Sequence, residues 1–257
     1  MTAHRELSVH VEHELLLKLE AAGLDEASAQ KIIQSKGNRL AKELVNSVKS
    51  RQALSWQEAQ ALMGEKNFFG SQEWIKFFGK KVQVANIPEI PWSQAELESP
   101  GINQEHFLFL GLEHLDEKPL NLPMWHKVFP GGKHPKFYWD WYLSHDFAKT
   151  TCGFRWYLMP VGIVEGSTNL SYDQQVAMLP DGYEVPLAIE RVSANILYYL
   201  PNRKYLDPDY WARTDDKSDG GHRVHVQGNS DGGLDVSDWY DGAVSYIGVA
   251  ASRKVQG

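Results

Sequence analysis

The residues of this chain that could do chemistry are scattered, and most catalytic and metal templates fail on spacing. His10, His13 and Glu14 stand together near the start. A zincin helix needs a second His four residues after the first of its pair, and position 17 is Leu. His106, His114, His126, His134 and His145 are dispersed, without the close grouping of a metal centre. The run Asp215-Asp216-Lys217-Ser218-Asp219-Gly220 has the outline of a calcium loop, but Lys217 fills a ligand position and Val226 stands where the closing Glu is needed. No Gly-rich phosphate loop precedes a helix and no G-x-S-x-G elbow is present. Cys152 has no other cysteine to pair with and no base beside it in sequence, so it reads as a buried structural thiol. No catalytic residue, metal or cofactor is therefore expected.

Binding chemistry is better represented, in the stretch from Tyr210 to Lys254. From Ser218 to Arg253 there is no Lys, Glu or Met, although charged residues make up 23% of the chain. Asp, Ser, Tyr, His, Asn, Gly, Ala and Val fill the positions between the apolar residues instead. This is the chemistry of an adaptable contact surface, in which aromatic rings give rigid area and small polar groups adjust their hydrogen bonds. The candidate contacts are His222, His225, Asn229, Ser230, Asp235, Ser237, Asp238, Tyr240, Asp241, Ala243, Val244, Ser245 and Tyr246.

Such residues need strands to position them. Arg223–Val226, Leu234–Val236 and Tyr246–Val249 alternate in polarity with period two, and Gly220-Gly221 and Asp231-Gly232-Gly233 punctuate them as turns. Alternation predicts Val224, Val226, Leu234, Val236 and Ile247 inward. It predicts His225, Asp235, Asp238, Tyr240, Asp241, Ser245 and Tyr246 outward or at loop tips.

Upstream, helical periodicity runs through residues 8–50. Val11, Leu15, Leu16 and Leu19 form a stripe ended by Gly23; Asp25 caps a second helix through Ile32 and Ile33. Gly37 or Asn38 interrupts it, and Leu40, Leu44, Val45 and Val48 continue a third stripe. Lys31, Lys36, Arg39, Lys42 and Lys49 make this segment locally basic, leaving open contact with DNA, docking of a partner helix or packing on the rest of the chain. Another helix is expected from Ser55 to Met63. An aromatic group follows (Phe68, Phe69, Trp74, Phe77, Phe78) that is either a stacking platform or packing between domains. Phe107–Leu110 and Phe154–Val164 read as strands, Tyr172–Met178 as a short helix, and Leu187–Leu200 as a long one with Pro186 in its first turn.

With 257 residues, 42% hydrophobic content and nine Trp, the chain can bury a substantial core. A net charge of -7 argues against a dedicated nucleic-acid binder. The N-terminus lacks an uninterrupted apolar core after a basic start, and no apolar run reaches the ~18 residues of a spanning helix. A cytoplasmic protein without membrane association is the expectation.

Three segments carry a family resemblance. Gly182-Tyr-Glu-Val-Pro186 before the long helix resembles the Gly-Tyr-Arg-Leu-Pro segment of C-type-lectin-like folds of the formylglycine-generating and sulfatase-modifying type. Tyr210-Trp-Ala-Arg-Thr214 resembles their Tyr-Trp-x-Ser/Thr-Thr, and Tyr246–Arg253 resembles their closing Gly-Phe/Val-Arg-x-Ala-Arg strand. Glu184 departs from the usual basic residue, and Gly-Val-Ala replaces Gly-Phe-Arg. The chain is also similar to uncharacterised proteins of candidate-phylum bacteria that share the Ala22-Gly-Leu-Asp25 and Ala29-Gln-Lys-Ile-Ile33 helices. Through them it resembles the variable proteins of diversity-generating retroelements. In that class an adenine-mutagenising reverse transcriptase rewrites a C-terminal stretch, and randomised AAY codons cannot encode Lys, Glu, Gln, Met or Trp. Within Ser218–Arg253 only Gln227 and Trp239 fall outside the permitted set.

The resemblance implies an α+β fold: a helical module over 1–50, a helix and loop-rich connector over 51–104, and a C-type-lectin-like domain over 105–257. It implies a binding protein with a diversifiable hypervariable region, whose ligand is an unknown protein or other macromolecule. It also implies that Phe107–Leu110 pairs with the strand around Ile247–Val249. One alternative is an enzyme on the same fold, although the formylglycine-generating chemistry needs paired cysteines. The other is a regulator acting on nucleic acid or a partner through the N-terminal helices.

Overall fold

The computed structural model describes residues 8–50, 54–79, 82–84, 86–99, 102–206, 208–229, 231–239 and 242–255. The chain is mixed α and β and divides into two compact units, Met1–Gln52 and Ala53–Gly257. Among the described residues no helix is long and apolar enough to cross a membrane.

The first unit holds α1 (Val9–Ala21), α2 (Glu26–Gln34) and α3 (Arg39–Ser50). Its local signals are strong. Ser8 accepts a hydrogen bond from Val11 N at 3.3 Å, and Asp25 accepts one from Ser28 N at 2.7 Å, so two helix starts are capped by side-chain oxygens. Gly37 and Asn38 take φ 65° and 56°, which break the chain between α2 and α3. The apolar stripes nevertheless enclose nothing: among the described residues of this unit no side chain is buried, and Leu16 is 53% and Ile33 71% exposed. The side chains of Val45 and Val48, expected on the third stripe, lie outside the described residues.

The second unit begins with α4 (Trp56–Met63), started by a reciprocal capping box between Ser55 and Glu58. Then come β1 (Phe68–Phe69), α5 (Ser71–Phe78), α6 (Gln94–Leu97) and α7 (Ile102–Glu105). This segment does more than connect. Phe68, Phe69, Trp74 and Trp92 are fully buried in the core of the unit, and the Trp74 indole N–H donates to Leu110 O at 2.9 Å. The aromatic group of residues 68–78 is therefore core packing within one unit.

Next are β2 (His106–Leu110), β3 (His114–Leu115), β4 (Lys118–Pro119), α8 (Leu122–Val128), β5 (Trp156–Pro160), α9 (Tyr172–Ala177) and β6 (Tyr183–Glu184). β2 is buried along its whole length, as a central strand must be. Its neighbours are β1, parallel, and β5, antiparallel with Phe107 opposite Met159. The expected pairing of Phe107–Leu110 with Ile247–Val249 is thus incorrect. Both edges of β2 are taken by equally apolar runs, and nothing in its own pattern of residues distinguishes one apolar partner from another.

The long helix α10 (Ala188–Asn202) is buried on nearly every side because it packs against strands of two sheets. Phe107 of β2 meets Tyr198 edge-on at 5.3 Å. Leu187 is its N-cap, so Pro186 stands just before the helix and outside its first turn. The second sheet contains β7 (Trp211–Lys217), β8 (Arg223–Asn229), β9 (Gly233–Trp239) and β10 (Ile247–Val249), in spatial order β10-β7-β8-β9. β7, β8 and β9 form an antiparallel meander, and β10 runs parallel to β7 with Ile247 beside Trp211. Asp216 of β7 accepts from Ala188 N at 2.6 Å, tying the sheet to the start of α10. β11 (Ser252–Arg253) closes the chain against β6.

Candidate ligand-binding face

Side-chain alternation divides this sheet into two faces. Val224, Val226, Leu234 and Val236 are at most 1% exposed on one face and pack into the core with α10. Ile247, also expected inward, is equally buried but stands beside Trp211, so it lies on the opposite face. In register on the other face lie Arg213, His225 and Ser237, and next to them the pair Gln227 and Asp235.

Part of that second face is covered. Arg213 is fully buried and donates to Leu170 O at 3.2 Å, Gln175 Oε1 at 3.0 Å and Gly242 O at 2.6 Å. His225, expected outward, is instead buried, with Trp211 edge-on against its ring at 4.7 Å. The segments carrying Leu170, Gln175 and Gly242 cover this part of the sheet, and they are distant from β8 in sequence. Burial, followed by the nearby Arg213 charge, lowers the His225 pKa to about 4, so the ring is neutral at pH 7. His225 is a packing residue, against the outward orientation expected of it.

The register gathers a different set at the open end. Ile247 stands beside Trp211, Ala212 opposite Val226, and Val226 opposite Val236. Tyr246, Tyr210, Gln227 and Asp235 therefore lie at the same end of the four strands. Tyr246 is 50% and Tyr210 40% exposed. The segment after Pro135 completes this end by running along the free edge of β9. Tyr138 N donates to Leu234 O at 2.8 Å, Leu234 N to Lys136 O at 2.7 Å, and the Trp141 indole to Val236 O at 3.1 Å. Tyr138 and Trp139 are held there with more than half their surface in solvent, edge-to-face at 4.8 Å.

The turn between β8 and β9 is built for this close approach. Asn229 Oδ1 accepts from Asp231 N at 2.8 Å and Gly232 N at 3.2 Å, a side-chain turn that leads into Gly233 at φ 99°. A Cβ at Gly233 would run into the Lys136 carbonyl, so only glycine lets the two segments meet. Between Tyr138 and this hairpin opens a cavity of about 400 Å³ lined by Tyr138, Gln227, Asn229, Asp231, Gly232, Gly233 and Asp235. Gln227 Nε2 is held by Pro208 O at 2.9 Å. Asp235 Oδ1 is buried and accepts no hydrogen bond. Burial raises its carboxyl pKa to about 6.

The remaining expected contacts are dispersed. Asn229 is exposed at the open end, and Ala243, Ser245 and Tyr246 are exposed with Val244 half-buried along the approach to β10. That approach lies across the sheet from Asp235, three strand spacings or ~14 Å away. Ser237 is half-buried in the His225 row. Asp238 stands opposite Val224, on the side of the sheet that carries the apolar row, so it does not share a face with Asp235 as expected. His222 is exposed at the far turn, beyond Gly221. Ser230, Tyr240 and Asp241 lie outside the described residues. Gln227, which the codon pattern marks as scaffold, and Tyr138 line the cavity although neither was among the expected contacts. The signal for Tyr138 was available: adjacent Tyr138 and Trp139 in an extended loop cannot both point inward.

Among the described residues no group of three or more His, Cys, Asp or Glu side chains could hold a metal ion. Cys152 is buried against Ser193 Oγ at 3.5 Å, and burial pushes its thiol up to about 12, which makes it a poor nucleophile. Compared with protein-family models, with curated proteins and with solved structures, the chain matches none.

Proposed function

We propose that this protein binds a macromolecular ligand through the open end of its four-stranded sheet, and that the C-terminal stretch is a diversifiable surface on a C-type-lectin-like scaffold, as in the variable proteins of diversity-generating retroelements. One observation carries the reading. Four large aromatic side chains, Tyr138, Trp139, Tyr210 and Tyr246, are 40 to 55% exposed along one end of one sheet, and Tyr138 lines a polar cavity there. Solvent-facing aromatic groups concentrated in this way are characteristic of interaction sites. The other face of the same strands is apolar and closed, so side chains at the open end can change without disturbing the core.

The DNA flanking the coding sequence tests the diversification part. A reverse-transcriptase gene is expected nearby, with a near-copy of the last hundred-odd bases that differs mainly at adenines. The substituted codons should include Asn229, Asp235 and Tyr246 and spare Val224, Val226, Leu234 and Val236. Substitutions falling equally on the apolar row would refute it.

A further inference from the structure

The cavity between Tyr138 and the β8–β9 hairpin has a chemical bias that the binding-face reading does not specify. Its lining contains two carboxylates, Asp231 and Asp235, and no Lys or Arg. The neighbouring Lys136 lies against Gly233 through its carbonyl and Cγ, and its charge acts on His134 together with that of Asp231. Two acceptors are left to meet a ligand, Asp235 Oδ1 and the Gln227 carbonyl, beside the amide N–H₂ of Asn229. Asp235 Oδ1 is buried without a partner. Gln227 has committed its amide N–H₂ to Pro208 O, which leaves its carbonyl oxygen. Asn229 has spent its oxygen on the turn, on Asp231 N and Gly232 N. The Tyr138 ring stands over Gly232, at the distance where a Cβ would press on it, and forms an aromatic wall. Nearby, the Tyr142 phenol is kept protonated by burial and then by the charges of Asp235 and Asp140.

A buried carboxylate oxygen without a donor is costly, and a neutral ligand would leave its charge uncompensated. A cation answers these features together: its N–H groups satisfy Asp235 Oδ1 and the Gln227 carbonyl, its charge offsets the Asp235 carboxylate, and it can sit over the Tyr138 ring. We infer that this pocket takes a cationic side chain, lysine or arginine, of a peptide or protein ligand. The inference rests on the binding-face reading and gives it a ligand class.

The test is a titration of the full chain with three labelled decapeptides that differ only at a central Arg, Lys or norleucine, followed by fluorescence anisotropy. The Arg and Lys peptides should bind at least tenfold more tightly than the norleucine peptide. Asp235→Asn and Tyr138→Ala should each remove at least tenfold of that affinity. Asp173→Asn, which deletes the same charge from a different cavity, should leave it unchanged, which separates pocket recognition from general attraction to an acidic protein. Melting curves of each variant confirm that it is folded. Equal affinity for all three peptides, or equal losses in Asp235→Asn and Asp173→Asn, overturns the cationic pocket. A neutral oligosaccharide such as maltohexaose that binds in place of the basic peptides, and is lost in Tyr138→Ala, overturns the ligand class while leaving the binding face standing. If Tyr138→Ala and Tyr246→Ala alter no binding by any of these probes, both readings fall together.

Discussion

The two faces of the β7–β8–β9 meander are made by the same strands, yet they obey different rules. The inner face is a row of aliphatic side chains almost without exposed surface, whereas the outer face ends at the exposed Tyr138 ring and an unsatisfied carboxylate. The inner face has minimised its free energy locally. At its open end the outer face keeps Asp235 in a state that costs stability, as functional sites do. Between these extremes lies the closed part of the outer face, where Arg213 and His225 are buried under remote segments. An alternating pattern therefore identifies which residues share a face, but not whether that face is covered.

The largest effect should come from the inner row. Leu234→Ala is expected to cost about 2–5 kcal/mol by urea denaturation, through lost burial and the cavity it leaves. A loss below about 1 kcal/mol would blur the distinction between the two faces.

The closed part of the outer face should show itself through pH. His225 has a folded pKa of about 4, below its unfolded value near ~6.5. The unfolded chain therefore binds more protons in between, and the stability His225 contributes is present above ~6.5 and lost as pH falls toward 4. The loss should be on the order of 3 kcal/mol. Comparing wild type with His225→Gln at pH 7 and pH 4.5 isolates it: the difference between the two proteins should shrink at the lower pH.

Asp235 shifts the opposite way. Its folded pKa, about 6, lies above the unfolded value, so its favourable contribution exists at low pH and is lost as pH rises through 6. Asp235→Asn should therefore stabilise the protein above pH 6.5, by only about 1 kcal/mol because the carboxyl is partly solvent-screened, and give no gain at pH 4. Melting of the variant at both pH values checks this. Destabilisation at pH 7 would make Asp235 a structural residue and remove its contrast with the inner row.

Removal of residues 1–52 should have the smallest effect. No described side chain of that unit is buried, so the second unit should keep its cooperative melt within a few degrees, while the excised helices should be poorly helical alone. Loss of the transition on truncation would show that the N-terminal helices support the sheet.

Local structure was legible in the sequence because its causes are local. Ser8, Asp25 and Ser55 signal helix starts through their own side chains, and Gly221 and Gly233 signal turns through φ. The inner row of the sheet was legible for the same reason, since period two is a property of the backbone. Strand pairing was not legible: Phe107–Leu110 is compatible with any apolar partner, and the choice of β5 and β1 depends on contacts across the chain. The site was half legible. Asn229, Asp235 and Tyr246 follow from alternation and turns. The burial of His225 depends on residues around 170 and 242, and the turnover of Asp238 to the apolar side depends on strict alternation continuing to the end of β9. Tyr138 joins the site only because its segment lies along the edge of β9.

If the open end carries binding and not stability, the triple variant Tyr138→Ala/Tyr210→Ala/Tyr246→Ala should stay folded. Its urea denaturation should give an unchanged slope and a total loss below about 1.5 kcal/mol, the sum of three surface substitutions. A loss of 3 kcal/mol or more, comparable to Leu234→Ala, would mean that these rings hold the fold together and would contradict the account.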